Sequence, residues 1–114
     1  MKNINNFRAL GRVYRIIEEF RKLDPEIPSQ AINAFLYIVL HEGCSVKDIG
    51  EALNLRQSSA SRNVALLSKM HRLGKPGLGL IEAKEDPRDR RWKTVNLTPR
   101  GRRFLEDLDI HIGE

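Results

Sequence analysis

Asp86-Pro87-Arg88-Asp89-Arg90-Arg91 runs directly into Trp92-Lys93-Thr94-Val95-Asn96-Leu97 and then Thr98-Pro99-Arg100-Gly101. Two acids and three arginines crowd the first six positions. On either side the chain alternates. Over Leu80–Glu85, Ile81 and Ala83 would face inward and Glu82 and Lys84 outward, and on the return Val95 and Leu97 alternate with Thr94 and Asn96. This pattern predicts a two-stranded antiparallel hairpin with a charged tip, braced to push an arginine at something anionic. Two strands alone are marginal, so the hairpin must lie against helices. Thr98-Pro99 supplies an N-cap and a first-turn proline, and so starts a helix.

Working toward the N-terminus, Arg72–Gly79 holds three glycines and a proline and reads as a flexible connector. The helix before it is expected from Gln57 to His71. Ala60, Val64, Leu67 and His71 share one face, with Ser58, Ser61, Arg62, Ala65 and Lys69 opposite. No acid occurs from Arg56 through Lys69, whereas an ordinary solvated helix face alternates Glu with Lys. Small serines let a backbone approach a surface closely, and Gln57, Ser58, Ser59, Ser61, Arg62 and Lys69 can all contact phosphates or base edges. Just upstream, Ser45 and Asp48 form a capping box that opens a short helix with Val46, Ile49, Ala52 and Leu53 inward. Asn54 can take the left-handed conformation that ends it. Two helices joined through Leu55-Arg56 make a helix-turn-helix pattern.

Two longer helices come first. Asn5–Leu23 carries Phe7, Leu10, Val13, Tyr14, Ile17 and Phe20 at helical spacing and stops at Asp24-Pro25. Pro28 begins the next as its first helical residue, with Ala31, Ile32, Phe35, Ile38 and Val39 as the stripe. Leu36, Tyr37 and Leu40 widen its apolar coverage, which predicts the most buried helix of the domain, ending at His41-Glu42-Gly43. The last helix presents Phe104, Leu105, Leu108 and Ile112.

Composition agrees with one soluble domain. The chain has 114 residues, enough for one modest core, with 40% hydrophobic and 31% charged residues. Its 20 Lys and Arg against 15 Asp and Glu give a net charge of +5, which favours an anionic partner. The single Cys44 excludes an internal disulfide and reads as a small buried residue. No apolar run approaches the ~20 residues of a membrane span and no signal-peptide core is present, so a cytoplasmic location is expected. His41, His71 and His111 fall in different helices without a nucleophile or metal-ligand pattern, and arginines would keep Asp86 and Asp89 ionised. Neither an enzyme, a metal site nor a cofactor is expected.

The order is therefore helix, helix, short helix, helix, hairpin, helix: mainly α with a small β-hairpin wing, a winged helix-turn-helix of about five helices. Asp86, Arg88-Asp89 and Arg91 match the acid, Arg-Asp and final Arg of the MarR family signature, and Leu97-Thr98 with Gly101 match the end of its following strand. Ser61-Arg62 also fits the family habit. The sequence thus resembles the MarR family of bacterial winged-helix transcriptional regulators over nearly its whole length.

That resemblance implies a sequence-specific, double-stranded DNA-binding homodimer. Its recognition helix would enter the major groove and Arg91 the minor groove, with Asp89 as the brace of Arg91 and with Arg88 and Arg90 as further phosphate or groove contacts. Residues 1–114 would be one domain, with the helices of 1–23 and 98–114 contributing to dimerisation because the family's further C-terminal helix does not follow. The Gly74–Gly79 loop is longer than the family's usual link and is expected to bear on where the wing sits. Arg56 stands where the family often has a Ser or Thr cap. Many relatives bind a small phenolic or oxidant effector, but no residue here marks a pocket for one. The competing expectation is a winged-helix module that holds a protein partner, with Trp92 as an anchor.

Overall fold

Helix α1 (Ile4–Leu23) is followed by α2 (Ser29–Leu40), strand β1 (Cys44–Ser45), α3 (Val46–Leu53), α4 (Gln57–Leu67), β2 (Ile81–Asp86), β3 (Asp89–Leu97) and α5 (Pro99–Ile112). This computed structural model describes residues 4–69 and 74–113, without the side chains of residues 4–6 and 90–92.

Three phenylalanines from three helices tie the fold together. Phe20 of α1, Phe35 of α2 and Phe104 of α5 meet edge to face, with centroids 5.0–5.7 Å apart, an arrangement the ring quadrupole favours. Ile38, Ile49, Leu67, Leu80, Ile81, Val95 and Leu108 complete a single core around them. Helix α2 contributes five buried residues, as its apolar breadth predicts. Leu36 and Leu40 nevertheless face outward, Leu40 at 77% exposure, because the core covers one side of the helix only. Ala52 and Ile112 are exposed for the same reason, while Gly50 and Asn63, which apolar patterning overlooks, are buried. Pro28, the expected first helical residue of α2, stands instead at its N-cap, and the helix begins one place later at Ser29.

The expected hairpin forms, and a third strand joins it, in the order β1-β3-β2. Cys44 pairs with Val95 and Ser45 with Thr94, and the Gly43 amide donates to the Val95 carbonyl at 2.9 Å. Gly43 has φ +88°, so this turn into the sheet suits glycine. Two residues are too few to show strand periodicity. In the hairpin, Ile81 faces Leu97 and Ala83 faces Val95. Ile81 is buried but Ala83 is exposed, contrary to its expected inward place, because β2 is an edge strand whereas Val95 opposite lies in the central strand.

The stretch after α4 departs most from expectation. Helix α4 stops at Leu67, and Ser68 is extended at φ −84° and ψ 178°. Gly77, Leu78, Gly79 and Leu80 then donate backbone hydrogen bonds at 2.8–3.0 Å to the carbonyls of Lys69, Leu66, Ser68 and Leu67 respectively. Helix-end carbonyls otherwise lack partners, so the glycine-rich segment caps α4 and is not a free connector. At Gly77 a Cβ would fall 1.9 Å from the Ser68 carbonyl oxygen, so only glycine permits this approach. His71 lies outside the described residues.

Helix α5 opens as its sequence predicts. Thr98 Oγ1 accepts from the Gly101 amide at 3.0 Å and donates to the Gly79 carbonyl at 2.6 Å. Glu42 adds a link that patterning did not suggest: its Oε2 accepts from the Leu97 amide and from Arg102, at 3.2 and 3.0 Å. Among the described residues no helix is long and apolar enough to cross a membrane.

Candidate nucleic-acid interface

The helix-turn-helix is built by close backbone contact. Ser45 and Asp48 make the capping box in both directions, and Asn54 adopts φ 55°, ψ 48° to end α3. The Leu55 amide donates to the Gly50 carbonyl at 2.8 Å. At Gly50 a Cβ would stand 3.1 Å from the Leu55 carbonyl oxygen and 3.6 Å from Ala60 Cβ, so a residue without a side chain lets α3 and α4 meet closely.

Orientation of α4 is set from its buried side. Ala60, Val64 and Leu67 enter the core, and Asn63 is 6% exposed. Asn63 Nδ2 donates to Gln30 Oε1 at 3.1 Å and to the Ser59 carbonyl at 2.9 Å. A buried amide needs such partners, and these lock the rotation of α4 against α2. The opposite face is thereby turned out: Gln57, Ser58, Ser61 and Arg62 are exposed. Ser59 is half-buried, and its Oγ accepts from Arg62 Nη2 at 3.2 Å, which lays the guanidinium along the helix surface. Arg56 at the N-cap is extended and makes no side-chain cap, so the first amides of α4 remain available to an anion.

Lys69 does not belong to this face. With α4 ending at Leu67, it sits two residues beyond the helix. There it borders a second groove with Arg100 and Arg103, lined by β2 and the start of α5.

The wing tip is a tight turn at Pro87-Arg88 between paired Asp86 and Asp89. Asp86 Oδ1 accepts from the Arg88 amide at 2.8 Å, the local carboxylate bond that turns favour. It also lies 3.6 Å from Arg88 Nε, yet the Arg88 side chain is 92% exposed and projects from the tip. Asp89 is half-buried. Asp89, Arg90 and Arg91 therefore belong to strand β3 and not to the tip that the charge pattern suggested. The side chains of Arg90, Arg91 and Trp92 lie outside the described residues.

Between α4 and the wing runs a trough of about 570 Å³, with Gln57 and Ser61 on one wall and Ala83 and Lys93 on the other. It brings the exposed face of α4 beside the hairpin. Lys47 and Lys93 line it, and neither was singled out from the sequence. A signal for Lys93 was present: it continues the inward-facing series Leu97, Val95 to a cation. No group of three or more His, Cys, Asp or Glu placed to hold a metal ion occurs among the described residues.

The family model described as "Winged helix DNA-binding domain" matches residues 34–101. No curated protein matches the chain by sequence. Among solved structures, the fold is similar to that of a MarR transcriptional regulator from Methanosarcina mazei Go1, with TM-score 0.67 and 18% identity over 96% of this chain and 71% of that one. The S. aureus MepR–DNA complex has TM-score 0.71 and 20% identity over 96% of this chain and 83% of that one. A MarR-like transcriptional regulator from Thermotoga maritima has TM-score 0.67 and 26% identity, covering 99% and 77%.

Proposed function

The chain belongs to the winged helix DNA-binding domain family, and from that premise we propose that it is a DNA-binding transcription regulator that reads double-stranded DNA as a homodimer. In this reading α4 enters the major groove and presents Gln57, Ser58, Ser61 and Arg62. The wing reaches the adjacent minor groove, where Arg91 is the probe and Asp89 its brace. An arginine suits that site because a narrow minor groove concentrates negative potential. Arg62 can bond guanine bidentately. Two such units on a pseudo-palindromic site would place their recognition helices about one helical turn apart.

One observation carries the reading. The exposed face of α4 holds no acid and is locked outward, beside the wing, by the buried Asn63–Gln30 contact. A structural relative, S. aureus MepR, is seen in complex with DNA. The family and fold are those of transcriptional regulators, which are generally not enzymes.

The homodimer is supported by unmatched apolar surface. Phe7, Leu10, Val13 and Tyr14 of α1, and Ile110 and Ile112 of α5, are each more than half exposed. The radius of gyration is 15.2 Å, against about 13 Å for a compact chain of this length, so the molecule is elongated. Residues 1–114 act as one domain whose first and last helices meet the second copy.

Fluorescence anisotropy with random-sequence duplex DNA at low and moderate salt tests the proposal. Binding that weakens steeply as salt rises is expected, because phosphate contacts release counterions. A folded protein with no affinity for any duplex would leave the protein-interaction module as the better reading. Selection of bound sites from a random duplex library then reports the half-site and its spacing.

A further inference from the structure

In B-form DNA each sugar-phosphate strand separates a major groove from a minor groove. A protein with a helix in one and a hairpin in the next must straddle the strand between them. Resting on the proposed reading, we infer that the trough between α4 and the wing is the seat of that strand, and that Lys47 and Lys93 are its phosphate contacts.

The chemistry of the trough fits a polyanion. Lys47 and Lys93 stand on its sides, Ser45 and Ser61 offer hydroxyls, and Ala65 and Ala83 give an apolar lining suited to deoxyribose. No carboxylate lines it among the described residues. Ser45, Lys47 and Lys93 also border a neighbouring groove, which differs in its acids, Asp48, Glu51 and Asp86, so the two lysines stand on the ridge between them.

Sheet register explains how a cation comes to face the helices. The inward face of β3 runs Leu97, Val95, Lys93; the first two are buried and the third is exposed. Core packing ends between Val95 and Lys93, so the lysine emerges over the trough. Ala83 opposite Val95 is too small to close the gap. Glu85 stands opposite Lys93 in register but outside the trough lining. Lys47 Nζ is 3.9 Å from Glu51 Oε1, with both side chains more than half exposed, a pair that water and salt screen and that a phosphate can displace.

The salt dependence of duplex binding by the full chain tests this, using a site chosen by the selection above. Each phosphate contact contributes roughly 0.9 to the slope of log affinity against log salt. Lys93→Ala and Lys47→Ala are each expected to lower the slope by about one contact, and Lys93→Arg to retain it. Lys84→Ala removes the same charge from the outward face of the same hairpin, where Lys84 pairs with Glu82 at 3.3 Å, and should leave the slope unchanged. A wild-type slope in both Lys93→Ala and Lys47→Ala, or an equal loss in Lys84→Ala, overturns the assignment while DNA binding stands. Absence of salt-dependent binding by the wild-type chain overturns the underlying reading as well.

Discussion

A Cβ atom on Gly101 would stand 2.0 Å from the carbonyl oxygen of Leu80. That oxygen accepts from the Thr98 amide at 3.0 Å, so α5 enters against the segment that caps α4. Gly101 is what allows the last helix, the wing base and the recognition helix to share one junction. Gly101→Ala must push α5 off this contact and is expected to cost about 1–3 kcal/mol or more by overpacking. Urea denaturation measures it, and an unchanged midpoint would contradict the close approach.

The two proposed reading arginines should behave differently. Arg91→Ala is expected to lower specific affinity by about 1–3 kcal/mol, and Arg62→Ala to relax preference at one base position in each half-site. Gel-shift titrations of folded variants against the selected site and single-base substitutions of it provide the comparison. Wild-type affinity in Arg91→Ala would remove the wing from the minor-groove role.

If α1 meets a second copy, a charge in its exposed stripe should separate the copies. Leu10→Glu is expected to shift sedimentation toward the monomer and to weaken DNA binding in parallel, since burying an unpaired carboxylate is costly. A dimer of unchanged stability would place the interface elsewhere.

Cys44 is buried in β1 beside β3, and its thiol is pushed up to about 11, first by burial and then by the nearby charge of Asp48. At pH 8 the native thiol should react with a disulfide reagent far more slowly than the urea-unfolded chain. The raised value also has a stability consequence. The contribution is complete below the unfolded thiol's range near pH 8.5 and is lost as pH rises toward about 11. Cys44→Ala should flatten the alkaline limb of a stability-against-pH curve.

Glu19 works in the opposite direction at the α1–α5 junction. Its Oε2 accepts from Lys22 Nζ at 2.7 Å and lies 3.1 Å from His111 Nε2. The Lys22 bond first, and the His111 contact second, hold its carboxyl below the usual range. Its contribution is present above the ordinary carboxylate range and is lost as pH falls through the depressed folded value. Glu19→Gln should therefore reduce the slope of acid unfolding followed by circular dichroism, whereas an unchanged acid limb would mean that this junction contributes nothing.

The sequence alone determined the five helices, the hairpin and their order, though not the short strand β1, because helical periodicity, the Ser45–Asp48 capping box, the αL Asn54 and Thr98-Pro99 act within a few residues of one another. It also identified Phe20, Phe35 and Phe104 as inward positions, and the acid-free face that includes Ser58, Ser61 and Arg62. Only the tertiary structure decided where each apolar stripe stops being covered, which sends Leu40, Ala52, Ala83 and Ile112 outward and Asn63 inward. It also ended α4 at Leu67 with amides from Gly77 to Leu80, paired Cys44 with Val95, and set Lys93 over the trough. The difference is physical. Periodicity is a property of one segment, whereas burial, capping by a returning loop and strand pairing depend on which distant segment arrives alongside.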